Sequence, residues 1–517
     1  MDAKKILRSV GTISGFTMLS RLLGLVRDVL MAGAFGTTLV MSAFVVAFTI
    51  PNLFRRLFGE GALSAAFVPV LIETREKEGG DEAWLFTNRV LSLLTVTLTA
   101  ITLLIIAGAA LIAGHAGGRT AAILDLLQIM IPYMIFICLA AVSMGILNSF
   151  HHFAVPAFAP GILNILWIAA MLFAVPYLGE TPEEKIRFVA WAIVLAGFLQ
   201  WAVQWPVLRR YGWRPRFSAQ WNTPRIRRML LLMGPAAIGM GVTQVNVIVD
   251  RLLAMWAGPD APAALFYSER LIYFPLGIIA TALGTVLLPV FSKHAANADH
   301  PQIRAGITDG LRHLLFVMTP AAFGLFVFAF PIVQMIFEWN AFDSTSTWMT
   351  AIALTCYAPG LVVFSLAKIF VPAFYALKDT KTPVKIGIIT VALNLILNII
   401  FILTLPQTVK HAGIAGATVI AEAFNIICLA LILQKRIGKP DWKRIRATTW
   451  RTVIASVIMS AASITIYKLI PHTVRPAQII AVLVSIAAGA GIYLTAGLLL
   501  RLEEISEFKN AFRRKRH

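Results

Sequence analysis

The chain has 517 residues, of which 58% are hydrophobic and only 14% charged, with mean hydropathy +0.79 and formal net charge +20. Soluble domains carry about 45–50% apolar and about 25% charged residues, so a water-soluble protein is excluded and an integral membrane protein is indicated. Apolar runs of roughly 20 residues recur throughout, the length of a membrane-crossing helix, whereas a barrel would alternate weakly over about ten.

Taken in chain order, the apolar runs predict an all-α membrane protein of fourteen transmembrane helices, near 9–35, 38–70, 86–113, 124–150, 156–178, 186–209, 227–257, 262–291, 307–338, 347–376, 383–405, 411–434, 449–470 and 477–500. The first, preceded by KKILR, runs into Arg21 without a small-residue cleavage site, so it reads as a retained span rather than a signal peptide. The second is too long for one straight crossing and is expected to bend or to project into water. Cys138, Cys356 and Cys428 lie far apart in apolar segments, as small buried hydrophobes do.

The loops set the expected orientation. Of the 45 Lys and Arg residues, 32 fall with one set of loops, 6 with the other (Arg119, Lys185, Arg187, Lys410, Lys468 and Arg475) and 7 within spans. The positive-inside rule then places both termini in the cytoplasm, and most of the net charge needs no nucleic-acid partner.

A weak repeat appears. SAAFVPVLIE and GTVLLPVFSK place Pro69 against Pro289, 220 residues apart, and HFAVPAFAPGILNIL and KDTKTPVKIGIITVALNLIL place Pro156 against Pro383, 227 apart. Six helices per half, inserted in the same direction, give a parallel repeat of the kind found in transporters. The expected organisation is a lobe over 1–220, a second over 221–440, and two extra helices with a basic tail over 441–517.

Charges inside the spans are the candidate site. Basic residues there are Arg21, Arg27, Arg55, Arg56, Arg251, Arg270 and Lys368; the acids are Asp28, Glu60, Asp250, Glu269 and Glu422. A central Arg costs about 2.5–3.5 kcal/mol on insertion scales, so such groups usually face a cavity or a partner. On the first helix Ser14, Thr17, Ser20, Arg21, Gly24, Arg27 and Asp28 share an arc of about 140°, predicting a polar, cationic face opposite an apolar one. On the second, Asn52, Arg55 and Arg56 stand at i, i+3, i+4; Arg56 is expected to pair with Glu60, leaving Arg55 to face the cavity. On the eighth, Glu269 and Arg270 point about 100° apart, which leaves Arg270 for another anion. Guanidinium forks bind phosphate oxygens bidentately and stay charged, so Arg21, Arg27, Arg55 and Arg270 point to a diphosphate. Asp250, Asn394, Asn398 and Thr418 offer oxygens suited to a hard cation such as Na⁺; the competing reading is an ion pair of Asp250 with Arg251 or Lys368 and asparagines that bridge helices. His151 and His152 have no accompanying carboxylate cluster, so an enzyme acting on lipid diphosphates is not expected.

The stretches SRLLGLVRDVLMAGAFG, FTIPNLFRRLFGEGALSAAFVPVL, ERLIYFPLGIIATALGTVLLP and FYALKDTKTPVKI resemble the MurJ (MviN) lipid II flippases of the MOP exporter superfamily, over essentially the whole chain. The resemblance implies two six-helix lobes plus two helices forming a groove for a polyprenyl tail, in the bacterial inner membrane. It implies flipping of lipid II, undecaprenyl-diphosphate carrying a disaccharide-pentapeptide, by alternating access, with cell-wall synthesis proteins as candidate partners. Export of another polyprenyl-diphosphate-linked saccharide is the alternative. The family's essential arginines map to Arg21, Arg27, Arg55 and Arg270, with Asp28 beside them, and its Asn after the helix-two proline maps to Asn52. Ser42 and Tyr273 stand where some members have an Asp and a Glu, so neither can carry a proton or cation role here.

Overall fold

The computed structural model describes residues 3–59, 62–471 and 474–507, which are helical with no strand among them. Two compact units divide the chain, Met1–Met255 and Trp256–His517.

The first unit holds α1 (Ala3–Phe35), α2 (Leu39–Phe54), a π-helical turn (Arg55–Gly59), α3 (Ala62–Glu78), α4 (Gly80–Ala113), α5 (Gly118–Met130) and α6 (Tyr133–Ser149). It continues through α7 (Ala154–Ala169), a second π turn (Ala170–Ala174), α8 (Val175–Leu178), α9 (Pro182–Ala202), α10 (Trp205–Arg210) and α11 (Pro224–Ala257). The second unit holds α12 (Ala261–Pro275), a third π turn (Leu276–Ala280), α13 (Thr281–Ala296), α14 (His300–Val327), α15 (Ala329–Phe337) and α16 (Ser344–Ala376). After these come α17 (Lys381–Thr404), α18 (Lys410–Ile437), α19 (Trp442–Leu469) and α20 (Arg475–Leu499).

Among the described residues, 11 helices are long and apolar enough to cross a membrane, or 12 with the pair α5–α6, bent by 42°. α1 and α11, of 33 and 34 residues, are also of spanning length, which is consistent with fourteen spans. The second span does break. Pro51 removes one helical amide, and the wider turn at Arg55–Gly59 separates α2 from α3. α3 ends in a charged segment, where Arg225 pairs with Glu78 and Glu82 and Arg228 with Glu73. Those pairs tie the start of α11 to α3 and α4 within the first unit.

Backbone details repeat between the halves. The π turns that open at Arg55 and Leu276 lie 221 residues apart, each just after a proline, Pro51 or Pro275. α6 and α16 both end with a non-glycine residue in the left-handed region, His151 at φ 58° and Lys378 at φ 57°. In both, the next amide reaches back five residues, His152 to Leu147 O at 2.9 Å and Asp379 to Phe374 O at 3.0 Å, the longer bond of a Schellman cap. These positions are separated by 227, the spacing of Pro156 and Pro383.

Within the second unit, α19 and α20 approach closely because small residues face each other. Ser456, Ser460 and Ser463 of α19 and Ser485 and Gly489 of α20 are buried, and Gly489 faces Ser463 across the contact. A Cβ on Gly489 would come within 2.2 Å of Ser463 Oγ. Tyr493 closes the contact to α14, donating to Phe316 O at 2.6 Å within a cluster of Phe316, Ala455, Met459 and Ala496.

Candidate functional site

α1 presents its apolar side outward, with Met18, Leu19, Leu22 and Val26 about half exposed, and packs its polar side on α7. Arg27 and Asp28 are both buried there. Arg27 donates through Nε and Nη2 to Asp28 Oδ1 at 2.9 and 2.7 Å, and through Nη1 to Asn164 Oδ1 at 2.9 Å. Its guanidinium lies 4.4 Å from the Trp167 ring centroid. Asn164 in turn donates to Ser20 O at 2.9 Å and to Ser20 Oγ at 3.2 Å. The Arg27 fork is thus fixed between two helices. Arg21, two turns earlier, is only half-buried.

Arg55 opens the π turn, half-buried, and its Nε donates to Asn52 Oδ1 at 2.8 Å. The turn also leaves the Phe54 carbonyl to accept from the Cys138 thiol at 3.6 Å. Arg56 is exposed and reaches Gln244 Oε1 of α11 at 3.4 Å. Its expected partner Glu60 lies outside the described residues. Ser42 is fully buried in α2.

In the second unit, Arg270 lies over the Phe266 ring at 4.4 Å on α12. Glu269 accepts from the Tyr357 hydroxyl of α16 at 3.2 Å, and Tyr273 is half exposed. Gly284 meets the Lys368 carbonyl, which a Cβ would approach to 2.9 Å, so α13 and α16 touch backbone to backbone there.

Three of the four cation-site candidates come together in this unit. Asn398 donates to Asn394 Oδ1 at 2.7 Å, Asn394 donates to Thr418 Oγ1 at 3.3 Å, and both asparagines are buried. The fourth, Asp250, belongs to the first unit and accepts from Asn246 at 3.2 Å. No group of three or more His, Cys, Asp or Glu suited to a metal occurs among the described residues. The amide oxygens are suitable donors to a hard cation, but Asn394 Oδ1 is already used by Asn398.

Two polar centres escaped the sequence reading. Asn164 was one; an Asn at i+8 from Pro156 in an apolar run gives no signal that Arg27 is its partner. The other is Arg312, sorted by sequence with the basic loops yet only 1% exposed. Its Nη2 lies 2.8 Å from both Glu503 and Glu504, its Nε donates to Thr448 at 3.3 Å, and Thr448 donates to Glu504 at 2.8 Å. Hydrogen bonding from Arg444, with the Arg312 charge, holds the Glu503 carboxyl below its ordinary range. The adjacency Glu503–Glu504 after a span was the available clue.

The family model described as Lipid II flippase MurJ matches residues 31–485. A lipid II flippase MurJ of Burkholderia cenocepacia is 36% identical over 453 residues, covering 85% of this chain and 86% of that protein. A probable lipid II flippase MurJ of Vibrio cholerae is 33% identical over 477 residues, covering 89% of each. Among solved structures, a lipid II flippase MurJ in an inward closed conformation matches with TM-score 0.78 and 27% identity over 95% of this chain and 98% of that one. An inward-facing MATE-family transporter of the MOP superfamily shares the fold at TM-score 0.66 and 15% identity, covering 83% of this chain and 98% of that one. On both the family match and the identity to these relatives, the chain belongs to the MurJ family of lipid II flippases.

Proposed function

We propose that this protein flips lipid II from the cytoplasmic to the periplasmic leaflet of the bacterial inner membrane by alternating access, with both termini cytoplasmic. Relatives that span most of its length are named for that activity. The observation that carries the reading to particular residues is the contrast along α1. Arg27 is locked by Asp28, Asn164 and Trp167, while Arg21 stays half-buried on the same helix. Arg21 and Arg55 in the first unit and Arg270 in the second are assigned to the diphosphate oxygens, with Asn52 orienting Arg55. Arg27 and Asp28 hold α1 in place behind them. A guanidinium suits this task because its fork matches two phosphate oxygens and its charge persists at any physiological pH.

The polyprenyl tail stays in lipid or against α19–α20, because carrying it through a polar path would cost about 0.8 kcal/mol per CH₂. Coupling to a small hard cation is a second part of the reading. Asn394, Asn398 and Thr418 would supply oxygens in the second unit, and Asp250 a carboxylate in the first.

The test is leaflet-specific detection of lipid II in cells depleted of the protein and then complemented. Wild type restores lipid II to the outer leaflet; unchanged accumulation on the inner side overturns the proposal. Proteoliposomes carrying lipid II or another polyprenyl-diphosphate saccharide separate it from the alternative substrate, and varying Na⁺ and membrane potential independently tests the coupling.

A further inference from the structure

The first unit contains a pocket made by elements to which no transport residue is assigned. After α10 the chain runs extended over residues 213–218 and lies across α4. Three hydrogen bonds fasten it. Trp213 Nε1 donates to Asn88 Oδ1 at 3.0 Å, Asn88 Nδ2 to Arg214 O at 2.9 Å, and Ser218 N to Ser92 Oγ at 3.1 Å. Between this strap and the helices is a cavity of about 290 Å³, lined by Leu91 and Thr95 of α4, by Trp201 and Trp205, and by Arg216 and Phe217 of the strap.

Three features define what it would hold. Its walls are mostly aromatic and aliphatic. The Trp201 and Trp205 rings line it and pack edge to face on each other, centroids 4.8 Å apart, with their indole nitrogens closed off from its space. The segment 203–223 contains Arg209, Arg210, Arg214 and Arg216, all exposed, and no Asp or Glu.

An exposed apolar row on α9 leads toward the pocket. On α9 the exposed Trp191, Leu195 and Phe198 recur at i, i+4 and i+7, and Trp205 continues that row two turns on. Exposed Phe217 and Arg216 stand side by side on the strap, an apolar and a cationic group in adjacent positions, as at a membrane–water boundary. Basic pockets between transmembrane helices bind anionic lipid headgroups.

We propose that this pocket seats one anionic phospholipid of the leaflet that meets the basic loops. Arg216, which lines the pocket, holds its phosphate, and Arg214 adds its charge from two positions earlier on the strap. The start of an acyl chain lies against Leu91, Phe217 and the Trp201 and Trp205 rings. The strap makes the site specific, because without it α4 and α9 would offer only a flat apolar surface.

The experiment uses the full chain in nanodiscs with a photoactivatable phosphatidylglycerol, the cross-linked peptides being mapped by mass spectrometry. Cross-links should concentrate in residues 201–217. Unlabelled phosphatidylglycerol should compete at least tenfold better than phosphatidylcholine, and inorganic phosphate should not compete. Arg214→Gln with Arg216→Gln, both exposed and so harmless to folding, should lower labelling about tenfold. Trp205→Ala removes that wall of the pocket, and should lower it several-fold. Equal competition by phosphatidylcholine, unchanged labelling in the double Gln variant, competition by inorganic phosphate, or cross-links spread over the lipid-facing helices would each overturn the assignment.

Discussion

Arg27 of α1 and Asn164 of α7 form a buried hydrogen bond of 2.9 Å that joins residues 137 apart in the chain. Asn164 is bifunctional, since its amide nitrogen binds Ser20 while its oxygen binds Arg27. Asn164→Leu has similar size but satisfies neither, leaving a buried guanidinium hydrogen and the Ser20 carbonyl without that partner. The expected loss is about 1–3 kcal/mol of stability. Thermal unfolding in detergent reads it, and Asn164→Asp should be milder because the carboxylate still accepts from Arg27.

For the proposed diphosphate contacts, Arg21→Ala, Arg55→Ala and Arg270→Ala should each abolish complementation with the protein still inserted. A hydrogen bond to a charged group is worth about 1.5–3 kcal/mol, so loss of one fork lowers flipping by roughly ten- to a hundredfold. Arg55→Lys should rescue poorly, because a lysine keeps the charge but loses the planar fork and the Nε that Asn52 holds. Normal flipping by the Arg21 and Arg270 alanine variants would move the site elsewhere.

Removing one member of the Arg312 network should be far worse than removing two. Arg312→Met leaves Glu504 buried without its cation, a change that typically costs about 3–5 kcal/mol. Arg312→Met combined with Glu504→Leu removes both charges, and should recover most of that loss. Thermal unfolding of the four proteins in the cycle measures the difference. Simple additivity of the two single changes would show that the ion pair does not couple α14 to the segment after α20.

Asp379 gives a pH dependence of known sign. Burial raises its pKa, but the Thr382 hydroxyl and amide and the Arg436 charge outweigh burial and hold it below the usual range. A carboxyl lowered on folding contributes stability above its unfolded pKa, near 3.9, and loses it as pH falls through the lower folded value. Wild type should therefore be more stable than Asp379→Asn at pH 7, and the gap should close below about pH 4. Melting temperatures at pH 7, 5, 4 and 3 check this. A gap that widens on acidification would contradict the Asp379–Arg436 pair, 2.5 Å apart.

Orientation is read with single cysteines in a background lacking Cys138, Cys356 and Cys428. Gly258 being buried, exposed Gly117 and Ala341 suit the task. Gly438 does not, being held at φ 89° against Arg304, so the exposed neighbour Lys439 replaces it. An impermeant thiol reagent on intact cells should label the first two positions and not the third. Labelling at Lys439→Cys from outside would reverse the topology.

The spans were legible because an apolar run of about 20 residues has few other physical uses. The polar arc of α1 was legible too, from helical periodicity alone. What periodicity does not tell is which helix covers an arc. Hence Arg21 and Arg27 looked equivalent in sequence, although α7 covers Arg27 and leaves Arg21 half-buried. The π turn at Arg55 was hidden for a similar reason: Pro51 announces a break, but not how the chain accommodates it. The 213–218 strap carries no periodic signal, and its anchors, Asn88 and Ser92, are single polar residues within an apolar helix.

The left-handed caps at His151 and Lys378, like those at Ala298 and Arg501, close their helices without a glycine. Each holds an L-residue where the left-handed conformation costs about 1–2 kcal/mol and where glycine would be strain-free. His151 carries an imidazole and Lys378 an ammonium, so no shared side-chain chemistry explains the match. What the two ends share is the path of the main chain, sharp at the close of α6 and of α16. A turn held at such an energetic disadvantage behaves as a fixed elbow, so motion within either half is expected to be absorbed at the π turns instead.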